Sequence, residues 1–427
     1  MRIAVIGAGI AGLSSAWLLS RVHEVTLFEA EDRLGGHTDT HDVECNGHSY
    51  AIDTGFIVFN HAHYPLLTRL FDELGVVSQP TTMSFSVRNE RSGLEYAATS
   101  LDTLFCQRRN MLSLRFHGMI RDILRFYREA PALLASSEHG PTLGEYLVSH
   151  RYGDAFRDEH LVPMASALWS APARRVLDFP ARHLIQFMAN HQMLQLRGRP
   201  DWRVVRGGSR RYIEALRERW TLSEERTSCA VHELRRIGKY VEVQSEAGRE
   251  SFDHVVLACH SDQALRLLGD ASLAEQEILG AIPYQANDVV LHTDARLLPR
   301  RRKAWAAWNA CVPSEPDAAC SVSYCMNLLQ GIESSEPFVV TLNRSDAIDP
   351  DKILRRRRYQ HPVYTHASVA ARQRKAEIQG VNRTWFAGAY WGFGFHEDGM
   401  RSGVQVARAL GVAWPGNCRD RQRQLVA

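Results

Sequence analysis

Two glycine clusters, one acid and one histidine–glutamate pair are the residues whose types and spacing point to chemistry. Gly7-Ala8-Gly9-Ile10-Ala11-Gly12 spells GxGxxG directly after the short run Arg2-Ile3-Ala4-Val5-Ile6. Gly7 allows a tight turn, Gly9 lets backbone approach a pyrophosphate, and Gly12 lets helix and strand pack closely. A helix opening here turns its first N–H groups, Ala11 among them, and its positive dipole end toward phosphate. Glu29 closes the next strand-like run, seventeen residues beyond Gly12. That is near the ~20-residue spacing of an acid that accepts hydrogen bonds from a ribose. Strand, glycine turn, helix, strand and acid in this order predict a dinucleotide site.

The stretch Glu29-Ala30-Glu31-Asp32-Arg33-Leu34-Gly35-Gly36 separates the dinucleotides. An NAD site does not need it. An elongated FAD does: Arg33 balances diphosphate charge, and Gly35 and Gly36 let backbone lie against the cofactor. With this second element the chain resembles the FAD-dependent amine oxidase and phytoene desaturase superfamily. Within it, the chain is most similar to bacterial NAD/FAD-binding flavoproteins whose genes tend to accompany cyclopropane-fatty-acid synthase.

A C-terminal stretch, Trp385-Phe386-Ala387-Gly388-Ala389 through Asp398-Gly399-Met400, resembles the superfamily's second FAD site. The resemblance implies a last strand ending at Gly388 and a final helix, Met400 to Leu410, opened by Asp398-Gly399. Its N-terminus would stabilise negative charge on the reduced flavin. Gly388, Asp398, Gly399 and Met400 are then cofactor contacts, and Val231 packs beside the adenine. His396 and Glu397, placed between strand and helix, are the candidate acid–base groups. A histidine titrates near neutral pH, and a buried glutamate can be tuned upward.

Three departures from the superfamily pattern matter. Ala389 stands where most relatives carry an acid against the ribityl chain, so Glu397 or Asp398 must supply that contact or it is missing. No lysine occurs in Asn287-Asp288-Val289-Val290, where amine oxidases place one. No cysteine occupies Tyr390 to His396, which implies non-covalent FAD.

The elements that must position these residues exceed one ordinary domain. The chain has 427 residues, of which 45% are hydrophobic, ample for two cores. The fold class expected is α/β: a Rossmann-like FAD domain of the GR2 flavoprotein type, interleaved with an α+β substrate domain. The FAD domain comprises 1–75, 205–270 and 374–427; the substrate domain comprises 76–204 and 271–373. Lys and Arg number 51 against 48 Asp and Glu, which argues against nucleic acid as a partner. No window approaches ~20 consecutive apolar residues, and no secretory signal pattern opens the chain. Eight scattered cysteines, from Cys45 to Cys418, form no CxxC. Reduced thiols and a cytoplasmic location fit. His37 and His41 lack a completing ligand set, so no metal site is expected.

Two basic features bear on partners. Leu112, Phe116, Met119, Ile120, Ile123, Phe126 and Tyr127 recur at helical spacing with arginines off the stripe. That reads as a domain helix with a solvated basic face, with contact to an anionic membrane as the minority reading. Arg355 to Arg358 is a charge run that reads first as a solvated face and second as a lipid headgroup site. Trp305, Trp308, Tyr324, Met326 and Phe338 surround the strand Val289–His292 and are candidates to wall an apolar cavity.

The function expected is removal of hydride from an apolar, fatty-acyl lipid-like substrate. The alternatives are a flavin amine oxidase, with Trp305, Trp308, Tyr390 and Trp391 as an aromatic cage, or a non-redox or escort role. The electron acceptor is not specified by any motif, and no separate NAD(P)H glycine motif is present.

Overall fold

A computed structural model describes residues 1–135, 140–169, 173–196, 198–315 and 320–414. Cys418 and the end of the last expected segment lie outside them. The chain divides into two compact units: 1–36, 216–279 and 374 onward form the first, and 37–215 with 280–373 form the second. The expected boundaries at 75 and 205 therefore fall inside the second unit. The physical reason is strand pairing: Val58–Asn60 pairs with Trp202–Val205, and Thr40–Cys45 pairs with His48–Asp53. These segments are thus tied to one another rather than to the glycine turn.

The first unit is built on a parallel sheet. Strands β1 (Arg2–Ile6), β2 (Glu24–Phe28), β3 (Glu224–Arg226), β7 (His254–Leu257) and β8 (Thr384–Phe386) lie in the order β3-β2-β1-β7-β8. Ile3, Ala4 and Val5 are fully buried, as a strand covered on both faces requires. Strands β4 (Val231–Ile237), β5 (Tyr240–Ser245) and β6 (Gly248–Phe252) form an antiparallel meander. Ala4, Ile6, Val255 and Leu257 share one core with Val241, Val243 and Phe252, so this meander covers one face of the parallel sheet. Helix α1 (Ile10–Leu19) packs against helix α2 (His396–Ala409), and all ten α1 residues are buried.

α2 begins at His396, four residues before the expected start at Met400. Asp398 is therefore not the residue before the helix but the third residue within it. Its carboxylate reaches back to accept the Phe395 N–H at 3.1 Å and the Phe393 N–H at 3.0 Å. An acid at this position satisfies orphan amides from inside the first turn.

The second unit carries a seven-stranded mixed sheet. Its order is Ile353–Pro362, Tyr284–His292, Val339–Leu342, Ser321–Cys325, Trp308–Val312, Phe85–Asn89, Leu94–Ala97. The last two form the expected hairpin around Asn89–Gly93. Helices Leu114–Glu129, Val162–Trp169 and Ala181–Asn190 belong to this unit. Among the described residues no helix is long and apolar enough to cross a membrane.

Candidate functional site

Every residue expected to hold the cofactor falls in the first unit. β1 ends at Ile6, and Gly7 turns with φ +98°, donating its N–H to Phe28 O at 2.8 Å. A side chain on Gly12 would overlap the Gly7 carbonyl. Gly9 is different: nothing lies within 4 Å of the place its Cβ would take. It also precedes α1 without a side-chain cap, and α1 has no acid in its first turn. An uncapped, acid-free helix start beside open space fits an anionic diphosphate.

Glu29 is fixed by two hydrogen bonds. Its carboxylate accepts from Ala8 N–H at 2.7 Å and Glu31 N–H at 3.0 Å. A carboxylate offers about four lone-pair sites, so capacity remains for ribose hydroxyls. Arg33 donates to Gly36 O at 2.9 Å and pairs with Glu31 at 3.1 Å. It thus shapes the second glycine turn. Gly35 N–H donates to Ala8 O at 2.8 Å, and a Cβ on Gly36 would lie 3.2 Å from Gly9 Cα. The Gly35-Gly36 pair therefore lies against the first glycine turn. Ser228 N–H and Cys229 N–H donate to Glu31 O and Glu29 O at 2.8 and 2.9 Å. This run delivers Val231, half-buried at the start of β4, beside the acid end of β2.

The C-terminal residues join the same unit through α2. A Cβ on Gly399 would lie 2.7 Å from Ile10 Cγ2, so this glycine spaces α2 from α1. Its N–H already donates to Phe395 O at 3.2 Å, inside the helical ladder. Met400 is fully buried. Gly388 N–H donates to Ser402 Oγ at 3.0 Å, and a side chain on Gly388 would overlap the Tyr390 ring. Asp398 also pairs with Arg401 at 3.0 Å. With its remaining bonds to Phe393 and Phe395, its carboxylate organises the turn into α2.

His396 and Glu397 occupy the first turn of α2 rather than a connecting loop. Burial pushes His396 down to about 3. Burial thus disfavours the charged imidazolium at this position. Glu397 is 3% exposed, with Arg401 at 3.9 Å.

The sequence reading missed a polar cluster in the second unit. Asp39 accepts the Tyr359 hydroxyl at 2.8 Å and pairs with Arg357 at 2.9 Å. The His37 ring lies 5.0 Å from Tyr359 and 5.2 Å from His361, centroid to centroid. Asn287 Nδ2 donates to His361 Nδ1 at 2.8 Å. Arg357, Tyr359 and His361 alternate along one strand, and His37 and Asp39 stand two apart in the turn and loop that precede the strand Thr40–Cys45; a spacing of two was the available signal. Asp53, fully buried, accepts from Thr40, Ser209 and Gln330, and burial pushes it up to about 6. Among the described residues no group of three or more His, Cys, Asp or Glu is placed to hold a metal ion.

A parallel sheet with a glycine turn, an uncapped helix and a fixed acid defines a dinucleotide-binding flavoprotein fold. Residues 10–310 match the family described as flavin containing amine oxidoreductase, and the chain belongs to that family. A curated relative, L-amino-acid oxidase of Pseudechis australis, is 49% identical over 47 residues, 11% of this chain and 9% of that protein. The chain thus matches under a tenth of that relative's length. Solved structures with the same fold include the CLA-producing fatty acid isomerase from P. acnes, 17% identical, TM-score 0.67, covering 95% and 98% of the two chains. Cyclohexylamine oxidase from Brevibacterium oxydans is 15% identical, TM-score 0.67, covering 96% and 98%.

Proposed function

We propose that the protein removes hydride from an apolar, fatty-acyl substrate, using FAD held without a covalent bond. The carrying observation is an aromatic row on one face of the seven-stranded sheet. Phe85, Trp308 and Tyr324 are cross-strand partners, all three only half-buried; the row continues into the wholly buried Val340 and Leu291, in the core against which the three rings pack. Trp308 and Tyr324 rings meet edge-on at 5.2 Å. The Tyr324 hydroxyl donates to Ala167 O at 3.2 Å, which turns its polar end onto helix Val162–Trp169. Such a face suits an alkyl chain. Met326 and Phe338, expected on the same wall, are wholly buried core instead.

FAD supplies the two-electron chemistry when bound. In this reading Glu29 holds the ribose, Arg33 and the start of α1 face the diphosphate, and Val231 packs on the adenine. Gly388, Gly399 and Met400 line the flavin end. Of the two acid–base candidates, His396 stays neutral, which leaves Glu397 to move a proton. The amine oxidase alternative is weaker. Trp305 packs with Leu298, Cys325 and Val339, whereas Trp308 packs in another cluster, so the two do not share a cage. Asn287 stands in the strand where a lysine is expected of amine oxidases.

Anaerobic mixing of the purified holoenzyme with fatty-acyl lipids is expected to bleach the flavin spectrum. Bleaching by amines with none by any fatty-acyl lipid would overturn the reading. Release of all chromophore on denaturation checks the non-covalent attachment.

A further inference from the structure

The second unit exposes an apolar corner that its fold does not need. Leu112 is 90% exposed, Leu114 89%, Leu101 75% and Met111 55%. They sit together for a local reason. Ser113 caps helix Leu114–Glu129 by accepting the Phe116 N–H at 3.2 Å. Leu112 precedes that cap, where an apolar side chain would ordinarily fold back on the helix's fourth residue. That residue is His117, whose ring nitrogen is bound to Met111 O at 2.8 Å. Leu112 is left pointing outward. Asp102, next to Leu101, pairs with Arg108 and, at 3.0 Å, with Lys303, which brings Leu101 to the same corner.

The corner is ringed by cations. Arg300, Arg301, Arg302 and Lys303 are four consecutive exposed residues. Their loop is anchored by Arg300 and Arg301 N–H groups donating to the buried Glu95 carboxylate at 2.9 and 3.1 Å. Arg115, Arg121 and Arg128 continue along the exposed side of the helix that Leu114 opens. The nearby carboxylates are engaged by these same cations: Asp102 by Arg108 and Lys303, Glu159 by Arg115, Asp122 by Arg121 and Glu129 by Arg128.

We infer that this corner seats the protein on an anionic lipid bilayer. Protruding leucines enter the headgroup boundary, and the arginine collar meets lipid phosphates. Charge complementarity selects the bilayer over a second copy, because two such collars would repel across a two-fold interface. The Arg355–Arg358 run belongs to the opposite edge strand of the seven-stranded sheet and is not part of this corner. The inference does not depend on which substrate the flavin oxidises.

The test is flotation of the holoenzyme with phosphatidylcholine vesicles containing phosphatidylglycerol. L112S/L114S is compared with the parent chain, and retained flavin colour and far-UV circular dichroism report folding. The parent is expected to float, and the double variant to lose about tenfold or more of its partitioning. Charge reversal R300E/R301E is expected to weaken binding and flatten its dependence on salt. Failure of the parent to float, or equal flotation of L112S/L114S, would overturn the inference. So would a solution dimer that L112S/L114S dissociates, which would assign the corner to a second copy.

Discussion

Gly403 of α2 faces Ser14 of α1 so closely that a methyl group on Gly403 would overlap the Ser14 hydroxyl and lie 2.5 Å from Ala11 O. Ser14 and Ser15 both turn their hydroxyls back onto Ala11 O, at 3.1 and 2.7 Å, and keep the seam narrow. Gly399, one turn earlier, makes the same demand against Ile10. The two helices whose first turns flank the proposed cofactor cradle are therefore set by small residues.

Gly403→Ala is expected to destabilise the protein by about 1–3 kcal/mol, the usual effect of overpacking. Gly403→Val should cost more and lower the flavin content of the purified protein. Urea melts and the ratio of visible to ultraviolet absorbance measure the two effects.

Glu29 acts on the cradle through Ala8 as well as through any ribose. Glu29→Gln removes the charge behind two accepted hydrogen bonds, each worth about 1.5–3 kcal/mol when the acceptor is ionised. FAD affinity should fall by about tenfold or more, read by titrating apoprotein with FAD and following flavin fluorescence. An unchanged affinity would remove Glu29 from the binding machinery.

Burial pushes His396 down to about 3, so its imidazole is expected to stay uncharged between about pH 5 and about pH 8, the range in which an ordinary histidine titrates. The pH profile of anaerobic flavin bleaching should therefore keep its shape in His396→Gln, whatever happens to its height. Loss of one limb of the profile in that variant would show that the imidazole titrates after all.

Asp53 makes the opposite kind of contribution. Its folded value, about 6, lies above the ordinary 3.8 because burial disfavours the charge. As pH rises from about 4 to about 6, the unfolded chain releases this proton while the folded chain keeps it. Stability from this group is thus full below the lower value and falls by at most about 3 kcal/mol across the window. Urea melts of the parent and Asp53→Asn across that range should differ in slope, with the variant flatter.

What was legible in the sequence is what is local. The turn at Gly7, the space at Gly9 and the acid at Glu29 follow from backbone and spacing within one βαβ unit. The start of α2 was misplaced because an acid at its third position reads like one before the helix. The domain edges were misplaced because Val58–Asn60 finds its partner at Trp202–Val205, a pairing with no local mark. The cluster of His37, Asp39, Tyr359 and His361 joins residues more than three hundred positions apart, and only their alternation hinted at it. The helical stripe was read partly wrongly as well. Phe116, Met119 and Phe126 are buried, but Leu112 is at the surface.

The order β3-β2-β1-β7-β8 has a consequence for biogenesis. Its central strand is the first to leave the ribosome, and its edge strand β8, with α2 behind it, is among the last. Until then β7 has an unpaired edge, and the small-residue face of α1 lacks its partner. Sheets assembled from such distant segments form slowly and stay exposed to misassembly while they wait. If the proposed cradle binds FAD, capture is accordingly expected late in the life of the chain. Truncation before Thr384 should yield a protein that neither colours nor stays dispersed, which pulse-labelled synthesis with and without added FAD would reveal.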